Sequence, residues 1–412
     1  MNRLGFHYFP DSLHYQKRDL QTWLPKLKLL NAGWLVLQTP VTRALPENFI
    51  IGLQAAGIEP ILHFHFSPEN MPPRRDFEML FNVYARWGVR YLVLFDRPNM
   101  RSTWGEASWS QTDLVERFLD QYLPLAETAL KSGLTPIFPP LEPGGDYWDT
   151  TFLKVALAGI SRRGQQDLLD KLVIGAYAKT TDRSLNYGKG GPEYWPGAQP
   201  YLTPKGEQDQ RGLRIFDWYD AIAKSVLLES RPIFLFGLGS VSESEKNLQI
   251  AQLLRGEDID NLEPIPAGVL GGAFWLLAAS EGSPEAPHAW YQSDGSATPI
   301  VEQMLQMQST DPKNASPTPQ ESRPIKHYVL LPAYEWGIPD YHLDALRPYI
   351  KTHQPTIGFS IEEAAKAQRI TVIGSEEEYS EETLRQLRSK GCVVERINGD
   401  GTTLASKVAK LT

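Results

Sequence analysis

The sequence predicts a (β/α)8 TIM barrel over residues 1 to about 308, followed by a small three-stranded α/β domain. Three observations carry this reading. Eight short apolar runs recur, separated by longer amphipathic stretches. Several of those stretches stop at a glycine. A segment rich in Pro, Ser and Thr, Ser309–Pro324, then ends the alternation and reads as a linker.

The runs are Leu4–Phe9, Trp34–Gln38, Glu59–Phe66, Tyr91–Phe95, Leu134–Pro139, Leu172–Tyr177, Arg231–Phe236 and Val269–Leu276. Apolar runs of this kind suit parallel strands buried on both faces, where a half-exposed strand would alternate. Between them Asp19–Leu30, Asp76–Trp87, Asp113–Lys131 and Phe152–Asp170 carry helical patterns. Gly33, Gly57 and Gly133 stand where a helix ends in a left-handed residue. Eight strand–helix units favour a closed barrel over an open doubly wound sheet. No glycine-rich phosphate fingerprint follows the first run, which argues the same way.

Beyond the linker, residues 325–412 predict strands at Lys326–Leu331, Arg369–Gly374 and Cys392–Ile397. Helices are predicted at Ile361–Gln368, Glu381–Lys390 and Thr402–Lys410. A core this small gains from a neighbour, so docking on the barrel or self-association through this domain is expected.

Composition removes several function classes. The net charge of −8, with no Lys/Arg run, leaves no nucleic-acid footprint. The single cysteine, Cys392, excludes an internal disulfide and a cysteine-based metal cluster. No apolar stretch is long enough to span a bilayer. Met1–Pro10 lacks a basic segment leading into an apolar one, so a cytoplasmic location is expected. The 11 tryptophans suit a surface that stacks flat ligands.

Barrel chemistry sits where strands end. The strand ends here supply His7, Tyr8 and Asp11; Gln38 and Arg43; His63 and His65; Asp96-Arg97-Pro98-Asn99; Glu142, Asp146 and Trp148; Tyr177 and Lys179; Gly237-Leu238-Gly239; and Trp275. His7, Tyr8, Asp11, His63, His65, Trp148, Tyr177, Lys179 and Trp275 are the candidate ligand-binding residues. His63 and His65 alternate with Phe64 and Phe66, so both imidazoles share one face of their strand. A metal there would need a third ligand such as Asp11 or Asp96; no metal or cofactor is expected. Tyr177 and Trp275 suit either sugar stacking or filling of the barrel's top layer. Gly188-Lys189-Gly190-Gly191 lacks the phosphate-loop spacing and reads as a turn.

This order of elements, the aromatic strand ends and Trp275 resemble the retaining glycoside hydrolases of clan A. In that clan strand 4 ends in Asn-Glu-Pro, whose Glu is the acid/base, and strand 7 ends in a nucleophilic Glu followed shortly by Gly. Here Asp96 falls where the Asn would be and Arg97 where the acid/base would be, while Gly237 takes the nucleophile position. Arginine stays protonated and glycine carries no functional group, so neither can replace a carboxyl. The resemblance therefore implies a barrel that binds carbohydrate and is catalytically silent. The alternatives are an active hydrolase with relocated carboxylates, drawn from Asp96, Glu142 and Asp146, and an assembly scaffold. An inverting pair would stand about 6.5–9.5 Å apart.

In the small domain, Ile370-Thr371-Val372-Ile373-Gly374 and Val394-Glu395-Arg396-Ile397-Asn398-Gly399 resemble the bacterial cell-wall-binding repeat, with Ser375 in place of its second glycine. That resemblance implies a role at the cell envelope as the alternative location. Mild proteolysis should cut within Ser309–Pro324 and release an intact barrel; cleavage inside residues 1–308 with that segment untouched would move the boundary.

Overall fold

A computed structural model describes residues 2–180, 182–310, 325–332, 340–389 and 392–398. The chain divides into two compact units, Met1–Gln308 and Ser309–Thr412.

The larger unit is a (β/α)8 barrel. Its strands are β1 (Leu4–His7), β2 (Trp34–Thr39), β3 (Glu59–Phe64), β4 (Tyr91–Leu94), β5 (Thr135–Leu141), β6 (Val173–Tyr177), β7 (Ile233–Leu238) and β8 (Val269–Phe274). They lie parallel in sequence order, and β8 closes onto β1 with Gly5 opposite Ala273. Alternate residues fill the interior: Trp34, Val36, Ile61, Val93, Ile137, Val173, Phe234, Phe236 and Ala273 form one buried cluster. The residues between them face the helices and join a larger apolar layer with side chains such as Phe118, Tyr122 and Phe152. Burying each large apolar side chain contributes about 1.5–3 kcal/mol. Trp34 fits inside because two neighbours carry no Cβ. A Cβ on Gly5 would come within 2.7 Å of Trp34 Cβ, and one on Gly271 within 2.8 Å of Trp34 Nε1.

After β8 the two-residue strands β9 (Ala278–Ala279) and β10 (Tyr291–Gln292) pair in parallel. Helix Pro299–Thr310 then runs two residues past Gln308 into the segment read as a linker. The rest of that segment lies outside the described residues. Among the described residues no helix is long and apolar enough to cross a membrane.

Among the described residues the smaller unit has four parallel strands where three were expected. They are β11 (Ile325–Leu330), β12 (Thr356–Gly358), β13 (Ala367–Ile373) and β14 (Val393–Ile397), in the order β12-β11-β13-β14. The extra strand, Thr-Ile-Gly, is three residues long and sits at the edge, so no apolar run marks it. Helix Asp340–His353 precedes it. The helix at Ile361 ends at Ala364, short of the expected Gln368, because β13 already starts at Ala367. Alternation along the sheet serves two cores. Tyr328, Leu330, Ile370 and Val372 pack with Leu384 and Leu387, while Val329, Leu331, Ile373 and Ile397 pack with Leu346 and Tyr349. The helix expected at Thr402–Lys410 and Gly399, the last residue of the repeat-like signature, lie outside the described residues.

One buried carboxylate ties the loop after β5 to the long segment after β6 and the helix that follows it. Asp149 opens helix Asp149–Arg162 and accepts hydrogen bonds from Gly144 N (2.8 Å), Gln210 Nε2 (2.8 Å) and Tyr219 Oη (3.0 Å). Burial pushes its pKa up, against the pull of those donors. Removing a buried acceptor strands its donors at about 1–3 kcal/mol each. Asp149→Ala should therefore lower stability by about 3 kcal/mol or more in urea unfolding, whereas Asp149→Asn, which keeps an acceptor oxygen, should cost clearly less. Equal losses for both variants would mean that the charge, not the acceptor geometry, holds the loops.

Candidate functional site

A cavity of about 710 Å³ opens at the C-terminal ends of the barrel strands, lined among others by His65, Asp96, Arg97, Tyr177, Lys179 and Trp275. The pleat decides which strand-end side chains reach it. On β1, His7 faces inward, its ring 4.9 Å from that of Trp275 and 5.8 Å from that of Phe236. Tyr8, one residue on, must face the other way. It is fully buried against Phe9, Tyr15, Trp23 and Phe49 behind the barrel wall. The expectation that Tyr8 binds ligand is corrected on that ground.

The end of β4 is shaped by strain. Phe95 and Arg97 both have positive φ, 69° and 44°, a conformation that costs a bulky side chain energy unless its surroundings enforce it. Here they do. Phe95 N donates to Phe64 O, Arg97 N donates to Pro140 O, and the Phe95 ring packs on Phe66 and Phe118. The result turns Asp96 to the cavity. Its Oδ1 accepts from Tyr177 Oη at 2.7 Å, its Oδ2 accepts from Arg97 Nε at 2.8 Å, and His63 Nε2 lies 4.0 Å from Oδ1. Burial alone would raise the Asp96 pKa; His63, His65, Arg97 and the Tyr177 hydroxyl outweigh it and hold the carboxyl at about 2. Asp96 is ionised at neutral pH.

Glu142 does not share this cavity. It lines an adjoining depression of about 320 Å³ with Pro143, Arg183 and Arg211, continuous in lining with the first through Lys179 and Asp182. Lys179 Nζ donates to both Glu142 oxygens, at 2.6 and 2.7 Å, and Arg97 Nη1 stands 3.8 Å from Oε2. Arg97 thus faces both carboxylates. Asn99, buried and absent from the expected site, builds this arrangement. Its Oδ1 accepts from Glu142 N and its Nδ2 donates to the carbonyls of Glu142 and Tyr147. Its place right after Asp96-Arg97-Pro98 was the only sign in the sequence.

Three further expected residues lie elsewhere. Asp146 accepts from Arg101 N at 2.8 Å and is tied to the loop after β4. Asp11 pairs with His14 at 3.0 Å and caps Leu13 N, a local turn. Trp148 is 40% exposed and lies against Tyr201, ring centroids 4.9 Å apart, lining neither depression. In each case the loop after the strand carries the side chain away from the strand axis, and strand register no longer predicts its direction.

His65 lines the cavity, and His7 and His63 are buried beneath it. His7 Nε2 accepts from Gly237 N at 3.3 Å, so its proton resides on Nδ1. His63 Nε2 donates to Phe95 O at 3.0 Å, and its ring stands edge-on to that of His65, 4.0 Å away. Burial lowers the pKa of all three, most firmly for His63, and to about 3 for His7, where His65 adds to it against Asp96. Imidazoles here are neutral at physiological pH.

On β7, Gly237 has φ 61°, and a Cβ there would stand 2.8 Å from Tyr177 Cδ1. The strand end thus has no room for a side chain. Trp275 on the far side closes the cavity; its N donates to Leu238 O, and the Trp275–Leu276 peptide bond is cis.

No protein-family model matches the chain, and no curated protein matches its sequence. Solved structures similar to it include a GH128 subgroup II endo-β-1,3-glucanase from Sorangium cellulosum, at 13% identity over 74% of this chain and 97% of that one, TM-score 0.40. An endo-β-1,4-glucanase from Xanthomonas axonopodis pv. citri, carrying a triple mutation, matches at 12% over 74% and 98%, TM-score 0.42. ScGas2, in complex with a ligand, matches at 10% over 74% and 64%, TM-score 0.46. At such identities and scores the function has to be argued from the site itself.

His7 also makes the site a source of acid sensitivity. The unfolded chain takes up a proton on this residue near pH 6.5, whereas the folded protein resists it down to about 3. Stability therefore falls as pH drops from 6.5 towards 3, by about 1.4 kcal/mol per pH unit for this group. His7→Gln should flatten the stability–pH curve by about that slope in urea titrations at several pH values. An unchanged slope would show that His7 is protonated in the folded barrel.

Proposed function

We propose that the barrel mouth binds carbohydrate and does not hydrolyse it by the retaining carboxylate mechanism. One observation carries the reading. At the two positions where the resemblance calls for catalytic carboxylates stand Arg97, bonded to Asp96, and Gly237, roofed by the Tyr177 ring. A retaining pair needs two carboxyl groups about 5–5.5 Å apart, one of them able to deliver a proton. Asp96 is held ionised, and Glu142 accepts from an ammonium on both oxygens, with Arg97 facing each. Asp146, the third relocated carboxylate, is bound to the Arg101 amide. Sugars offer apolar C–H faces and polar edges. Trp275 supplies a platform for the first, and Asp96, Arg97, Lys179, Gln38 and His288 supply partners for the second.

Calorimetry against a panel of neutral and acidic oligosaccharides tests this. Binding is expected to at least one member, and Trp275→Ala should weaken it by about 1–3 kcal/mol through lost contact area. A fluorosugar inactivator should label no residue. A covalent adduct on Asp96 or Glu142 would establish the relocated-carboxylate hydrolase instead, and a panel without binding would leave the barrel as scaffold.

A further inference from the structure

We propose that His63, His65 and Asp96 bind one divalent transition-metal ion of the zinc class, open on one side to the barrel cavity. Each of the three offers a ligand atom within 4.8 Å of the other two. This meeting follows from the fold. His65 stands one residue past the end of β3 with its ring 4.0 Å from that of His63, β4 is the next strand with His63 opposite Val93, and the left-handed turn at Phe95 and Arg97 brings Asp96 back over the pair.

The members differ in how firmly they are held. Asp96 is fixed by Tyr177 and Arg97, and each carboxylate oxygen keeps a second lone pair for a metal. Hydrogen bonds from outer residues to a ligating carboxylate are a regular feature of metal centres. His63 is held by the Phe95 carbonyl with Nε2 4.0 Å from Asp96; loading the ion through Nε2 exchanges that hydrogen bond for a metal bond. His65 is the adjustable member. Its ring lines the cavity and has no hydrogen-bond partner among the described residues. A four-coordinate ion with bonds of about 2.0–2.1 Å draws its ligands to roughly 3.3 Å apart; rotation of His65 brings in the third ligand, and the 4.0 Å between His63 Nε2 and Asp96 closes as Nε2 leaves the Phe95 carbonyl.

Two nitrogens and one oxygen, with no thiolate, suit zinc-class ions over calcium or magnesium. Three protein ligands leave a position open towards the cavity, and the Arg97 guanidinium beside it favours an anionic or hydroxide occupant there. The proposal stands apart from the carbohydrate reading: neither needs the other.

The test uses the full-length, untagged protein, stripped with a chelator and titrated with Co²⁺ and then Zn²⁺ by visible absorption and calorimetry. One equivalent of Co²⁺ should bind with the intense ligand-field bands of a four- or five-coordinate ion, and Zn²⁺ should displace it. His65→Ala and Asp96→Asn should each weaken uptake at least tenfold, while His14→Ala, in the Asp11 turn, keeps wild-type affinity. Metal-free thermal melts establish that the variants fold, and His65→Ala, which loses no hydrogen bond, decides the matter if Asp96→Asn does not. Absence of a stoichiometric Co²⁺ spectrum, or equal affinity in His65→Ala, overturns the proposal. Glycan binding measured with chelator present keeps its own outcome separate.

Discussion

The mouth of this barrel depends on the closure of β8 onto β1. Once that register is fixed, with Gly5 opposite Ala273, the pleat assigns every strand residue to the interior or to the helices. A one-residue slip would exchange the two sets. His7, His63, Tyr177 and Trp275 point inward because they share the phase of Val36, Ile61, Val173 and Ala273, and Tyr177 and Trp275 reach the cavity. Trp34 fills the interior lower down, and the absence of Cβ atoms at Gly5 and Gly271 permits it. The site rests on a packed floor, so its histidines are shielded from below and their pKa values fall.

Above that floor the charges alternate: Asp96, Arg97, Glu142 and Lys179 follow one another, each facing a neighbour of opposite sign. Tyr177 terminates the series on Asp96 and lies 5.5 Å from the Lys179 ammonium and 6.0 Å from the Arg97 guanidinium at its ring face. The strained backbone at Phe95 and Arg97 maintains this order. Strain of this kind persists where surrounding contacts over-determine it, and the Phe66–Phe95–Phe118 packing and the two backbone hydrogen bonds do so. A relaxed Phe95 would turn Asp96 away from Tyr177.

Strands were legible in the sequence because burial on both faces leaves an unbroken apolar run, and β2, β3 and β6 lie nearly where those runs lie. Facing was legible wherever period-2 alternation applied, as with His63 and His65. It was overlooked for His7 and Tyr8, which adjacent positions cannot send to one side. Trp148, Asp146 and Asp11 sit on loops, where direction is set by turns and by partners such as Tyr201, Arg101 and His14. Those contacts are long-range or turn-specific and leave no periodic mark. Asn99 shows the same limit: its hydrogen bonds reach Glu142 and Tyr147, more than forty positions along the chain. Edge strand β12 was missed because three residues carry too little pattern.

Gly237 and Tyr177 join these threads. The φ of 61° at Gly237 directs its N–H to His7 Nε2, and the missing Cβ lets the Tyr177 ring approach. The same ring places its hydroxyl on Asp96. Introducing a carboxylate at position 237 would displace Tyr177, and the displaced hydroxyl would leave Asp96 with Arg97 as its remaining close donor. A nucleophile at the end of β7 is therefore incompatible with the anchoring of Asp96 at the end of β4. The loss of one residue of a hydrolytic pair and the arrangement around the other belong to a single packing solution, so one substitution at position 237 would not restore a hydrolase.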